Sequence, residues 1–119
     1  MRTQHVPWTR WRETLDDLSR TYDGAIVSLE IVGDDVGAQP EVIDQPLRGL
    51  SSDRSGVTIR IANSTGNLEH LIRHPRDLRI VETDEGAVMA VEIEENEGLH
   101  TLVHFRSPAI PELLDPTME

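Results

Sequence analysis

Two tripeptides, Asp84-Glu85-Gly86 and Asn96-Glu97-Gly98, constrain this chain more than any other feature. Each ends on glycine at the third loop position, the pattern of a three-residue hairpin in which a type I turn is closed by a left-handed glycine. With Thr83 opposite Ala87 and Glu95 opposite Leu99, three strands are registered at once. Val81 then meets Met89, while Met89, Val91 and Ile93 meet Phe105, Val103 and Thr101. A slip of one residue sets Ile93, Val91 and Met89 against His100, Leu102 and His104, exchanging apolar pairs for polar ones. The turns therefore predict an antiparallel meander at the C-terminal end.

The N-terminal end has a different period. Trp8, Trp11, Leu15, Leu18 and Tyr22 recur at steps of three and four, with Arg10, Arg12, Glu13, Asp16, Asp17 and Arg20 between them. That spacing predicts an amphipathic helix over 7–23, opened by Pro7 and Thr9 and capped by Gly24. From Ala25 the period becomes two. Val27, Leu29 and Ile31 alternate with Ser28 and Glu30, and Val57, Ile59 and Ile61 repeat the pattern. Residues 33–40 read as a loop, and 41–50 as a strand broken by Pro46 and hence an edge or bulged one. Short strands follow over 68–73 and 78–83, separated by His74-Pro75-Arg76-Asp77. Residues 107–119, with three prolines, predict an extended tail laid over the body through Ile110, Leu113 and Leu114. The 119 residues thus form one α+β domain: an N-terminal helix packed on a strongly bent antiparallel sheet, or partly open barrel, of five to seven strands.

With two tryptophans, one tyrosine and one phenylalanine, the core must be mostly aliphatic. No cysteine is present, which removes disulfides, thiolate ligands and cysteine nucleophiles. Twenty-two acids face eleven bases, all of them arginine, for a net charge of −11. Such a surface repels nucleic acid and anionic membrane, and it fits either salt adaptation or ordinary solubility. No apolar run approaches a membrane span, and charges interrupt the first fifteen residues where a signal peptide would be apolar. The expectation is a soluble cytoplasmic protein.

Four groups of residues are candidates for chemistry. His100 and His104 share one face of a strand, but at ~3.3 Å per residue they lie ~13 Å apart, too far to ligate one ion together. No metal or other cofactor is expected. Arg73, His74, Arg76 and Arg79, with His70 close by, concentrate positive charge in an acidic chain and suit a carboxylate or phosphate; the plain alternative is that they neutralise the acidic strand over 91–95. Trp8, Trp11 and Tyr22, with His100 or His104 as polar contacts, would line a pocket between helix and sheet; as a helical stripe they equally serve to fasten the helix. Asp34 and Asp35 lack the ligand order of a calcium loop and read as a turn. No nucleophile elbow, phosphate-binding glycine loop, H-E-x-x-H or C-x-x-C is found, so the reading leans away from an enzyme.

The phrases SLEIVGDDVGAQPEV, QPLRGLSSD, VETDEGAVMAVEIE and HFRSPAIPE, in that order, resemble a domain-of-unknown-function family of short acidic prokaryotic proteins. The resemblance runs from Pro7 to about Asp115 and implies a free-standing domain without naming an activity. The expected function is a non-enzymatic interaction or regulatory module with a protein partner or a second copy of itself, the latter joined through a sheet edge; the alternative is a small-ligand or metal-binding protein using the helix–sheet pocket.

Overall fold

A computed structural model describes residues 1–33, 35 and 37–109. In chain order these form β1 (Arg2–His5), a 3₁₀ turn (Trp8–Arg10), α1 (Trp11–Thr21), β2 (Ile26–Gly33), β3 (Gly37–Asp53), β4 (Gly56–Asn63), β5 (Gly66–Ile72), β6 (Pro75–Glu82), β7 (Val88–Glu95) and β8 (His100–Ala109). The strands join antiparallel in the order β1-β6-β7-β8-β2-β3-β4-β5. The sheet is open, with β1 and β5 at its edges. The α+β class holds, but the described residues form eight strands rather than five to seven, and these do not close into a barrel.

The additional strand is β1. Its sequence, Arg-Thr-Gln-His, has no apolar residue to mark it, and all four residues are exposed. It is held through its ladder with β6, running from Arg2 opposite Glu82 to His5 opposite Arg79. Val6 then donates to Leu78 O at 2.9 Å, tying the chain down before the helix begins.

The helix is shorter than the apolar stripe. Arg10, at φ −111° and ψ 3°, breaks the path between the 3₁₀ turn and α1, and neither N-terminus has a side-chain cap. Trp11, Leu15, Leu18 and Tyr22 stay on the buried face, whereas Trp8, upstream of the break, is 77% exposed.

β3 is the element that bends the sheet. From Gly37 to Pro46 it pairs with β2; from Leu47 to Asp53 it pairs with β4, on the opposite flank. Register shifts mark the change, and Asp44 has φ +51°. Each half has one strand neighbour, so Pro40 and Pro46 sit without removing a needed donor, and the strand is edge-like and bulged together. The expected loop at 33–40 is accordingly shorter, and the strand expected over 41–50 longer: Gly37–Pro40 and Ser51–Asp53 belong to β3, and Pro75–Asp77 to β6.

Where β2 leaves the flank of β3, other groups replace it. Leu47 exchanges backbone bonds with Gly24 and Ala25, at 2.8 Å each. Leu50 is served by a helix side chain: Ser19 Oγ accepts from Leu50 N at 2.7 Å and lies 2.7 Å from Leu50 O and 2.8 Å from Leu15 O. Around this clasp one aliphatic cluster draws Leu15 and Leu18 from α1, Val27 and Leu29 from β2, Ile59 and Ile61 from β4, and Val91, Ile93 and Val103 from the meander.

Both glycine-closed turns form as expected. Thr83 donates to Ala87 O and Glu95 to Leu99 O, each at 2.8 Å, with Gly86 at φ +90° and Gly98 at φ +83°. Val91 meets Val103 and Ile93 meets Thr101. The β6–β7 register differs: a shift between Val81 and Glu82 moves the ladder by one residue and puts Val81 opposite Ala90 rather than Met89. A further shift between Val88 and Ala90 interrupts the ladder where Met89 was expected to meet Phe105. The expected tail contributes its first residues to β8; 110–119, with Ile110, Leu113 and Leu114, lie outside the described residues.

Candidate functional site

The arginines divide into two populations. Arg2, Arg10, Arg20, Arg48, Arg60, Arg76, Arg79 and Arg106 each lie within 4.0 Å of a carboxylate oxygen. Arg12, Arg54 and Arg73 have no such partner among the described residues, in a chain with twice as many acids as bases. All three line one cleft of about 1090 Å³, together with Arg76, whose contact to Glu94 is a loose 3.7 Å.

Three separate elements bring these side chains together. Arg12 stands on the first turn of α1, Arg54 in the two-residue turn between β3 and β4, and Arg73 and Arg76 flank the corner between β5 and β6. Gly56 closes the turn against that corner. A Cβ there would lie 1.9 Å from Ile72 O and 3.1 Å from Arg73 Cα, and its φ of +133° belongs to glycine. The bare backbone therefore allows the arginine-bearing turn to reach the arginine-bearing corner. Trp8 and Trp11 form the remaining wall, Trp11 fixed by donating its Nε1–H to Val6 O at 2.8 Å.

Four arginines in the cleft face two carboxylates, Asp16 and Asp53, and Asp53 already accepts from Ser55 N at 2.7 Å. Thr9, Ser51, Ser52, Gly56 and Pro75 complete the lining. The arrangement is a locally positive hollow, rich in donors, with an exposed indole on its wall. It suits an anion.

Arg79 does something else. Half-buried, it reaches Asp77 through Nη1, Glu92 at 2.9 Å and Glu94 at 3.1 Å through Nη2. Glu92 in turn takes His100 Nδ1 at 2.8 Å, and His5 Nδ1 lies 3.2 Å from Asp77. The hydrogen bond from Arg79, helped by His100 and opposed by burial, holds the Glu92 carboxyl below the usual carboxylate range, and the same bond raises the Arg79 guanidinium above its ordinary value. The network binds β6, β7 and β8 across the sheet face. Here the neutralisation of the acidic strand, weighed against an anion site for all of 73–79, is what Arg79 performs.

The remaining sequence candidates are dispersed. His74 is exposed, and its carbonyl accepts from Asn96 N at 3.1 Å; His70 is half-buried opposite Ile59 and does not line the cleft. Tyr22 is buried edge-on to Phe105, with ring centroids 5.5 Å apart. His104 Nε2 lies 3.3 Å from Glu30, so both histidines of β8 pair with carboxylates on the sheet face rather than joining Trp8 and Trp11. Among the described residues no group of three or more histidines and acids is placed to hold a metal ion. Asp35 is exposed in a turn, and Asp34 lies outside the described residues. No helix among the described residues is long and apolar enough to cross a membrane. Arg12 and Arg54 carried no separate signal in the sequence, since one belonged to the polar face of a helix and the other to a turn.

Comparison with known proteins gives a family and no activity. No curated protein and no solved structure matches the chain. A family model, described as a family of unknown function (DUF5335), matches residues 2–113, and the chain belongs to that family.

Proposed function

We propose that this domain is a non-enzymatic interaction module whose cleft between the start of α1, the β3–β4 turn and the β5–β6 corner receives an anionic partner. One observation carries the reading: the three arginines that have no carboxylate partner among the described residues all line one cleft. Like charges held together repel one another, and nearby carboxylates elsewhere on this surface neutralise their arginines. An incoming anion supplies the negative charge that no described carboxylate brings to these three arginines. The Arg79 network, whose charges are matched internally, is assigned the structural part.

The test is thermal unfolding with pyrophosphate or sulfate against matched sodium chloride, since a ligand that binds only the folded state raises the midpoint. The expected result is a saturable rise that disappears in Arg54→Ala with Arg73→Ala, with no loss of stability in the variant without ligand. Equal midpoints in pyrophosphate and matched salt, or a rise that survives the double substitution, would overturn the reading.

A further inference from the structure

We propose that the cleft takes a phosphorylated compound with a planar ring, a nucleoside diphosphate in class; this rests on the anion-binding reading above and names its ligand.

A single carboxylate is satisfied by one guanidinium fork. Here Arg12, Arg54 and Arg73 approach from three elements, and the half-buried Ser51 and Ser52 belong to the same lining. Donors from several directions match a group with oxygens in several directions and more than one negative charge, which is phosphate chemistry. The volume of about 1090 Å³ leaves room for more than the anion. Small-ligand sites commonly occupy roughly 300–1000 Å³, so the cleft is large enough for a nucleotide.

Trp8 supplies the second half of the argument. It is a large aromatic side chain, 77% exposed, carried out of the core by the break at Arg10 and set on the wall of this positive hollow. An indole face beside guanidinium groups is a platform for a flat ring, because stacking and phosphate contacts then act on the two ends of one molecule. The net charge of −11 favours a small ligand over a long polyanion, whose outlying phosphates would meet an acidic surface.

The experiment is calorimetric titration of the full chain at low salt with pyrophosphate, ADP, ribose 5-phosphate and citrate. ADP is expected to bind about tenfold more tightly than pyrophosphate, the order expected from one stacked base. Trp8→Ala should remove that tenfold difference and leave pyrophosphate binding unchanged, Trp8→Phe should keep most of it, and Arg54→Ala should weaken both ligands. ADP no tighter than pyrophosphate, or a preference indifferent to Trp8→Ala, overturns the ring and leaves the anion cleft standing. Citrate as tight as pyrophosphate overturns the phosphate assignment alone. No binding of any of these anions overturns both this inference and the reading it rests on.

Discussion

Replacing Ser19 by alanine removes one hydroxyl from a helix, yet it orphans two backbone groups of a strand. Leu50 is 2% exposed, and its N–H and C=O point to the flank that β2 has already left. Ser19 Oγ serves both, at 2.7 Å. A buried backbone group that loses its partner costs about 1–3 kcal/mol, so two of them cost roughly 2–6 kcal/mol at full cost and less where water enters. Alanine returns about 0.5 kcal/mol through its better helix propensity. The net expectation is a loss of about 2–4 kcal/mol, a large share of the roughly 5–15 kcal/mol typical of a domain. With an m-value of about 2 kcal/mol/M, the urea midpoint should fall by about 1–2 M. Thr21→Ala, on an exposed position of the same helix, should change little. Hydrogen exchange adds a local reading: the Leu50 amide should lose more protection than global destabilisation explains. A Ser19→Ala protein as stable as the parent, with Leu50 still protected, would refute the claim that the helix completes the hydrogen bonding of β3.

Other substitutions test other parts of the account. Thr101 is fully buried opposite Ile93, and its Oγ1 has no partner among the described residues; Thr101→Val should stabilise the protein by about 1 kcal/mol, read as a higher melting temperature, and a lower one would contradict this. Gly56→Ala should cost at least about 2 kcal/mol, because the new Cβ meets the Ile72 carbonyl and the φ is unsuited to it; unchanged stability by urea unfolding would count against the close approach. The depressed Glu92 carboxyl favours folding while it is ionised, so its contribution is complete above the ordinary glutamate value of about 4.3 and fades as the pH falls through the lower folded value. The stability gap between the parent and Glu92→Gln should therefore be level from neutral pH to about pH 5 and shrink below about pH 4; a gap that widens on acidification would reverse the sign.

What was legible in the sequence was what local chemistry decides. Gly86 and Gly98 announced their turns because left-handed backbone at those places selects glycine. The stripe of Trp11, Leu15, Leu18 and Tyr22 announced α1 because burial on one face imposes its period. β1 was hidden because an edge strand held by its ladder needs no apolar side chain. The length of β3 was hidden because each half uses a different flank, so glycines and prolines that punctuate an ordinary strand are tolerated along it. In the cleft, Arg73 and Arg76 were visible as local charge, but Arg12 and Arg54 join them through the approach of Gly56 to Ile72, a contact between distant segments. Arg79, indistinguishable from its neighbours in the sequence, is set apart by facing Glu92 across a ladder.

The central claim is that this one cleft, and not the charged sheet face, receives an anion. Nitrogen-15 NMR of the full chain during titration with pyrophosphate tests it most directly, because arginine Nε–H and tryptophan indole signals report on named side chains. The account predicts saturable shifts of Arg12, Arg54 and Arg73, with Trp8 and Trp11 moving at the same concentrations and Arg79 unmoved. Shifts centred on Arg79 and His100, or none that saturate, would contradict it.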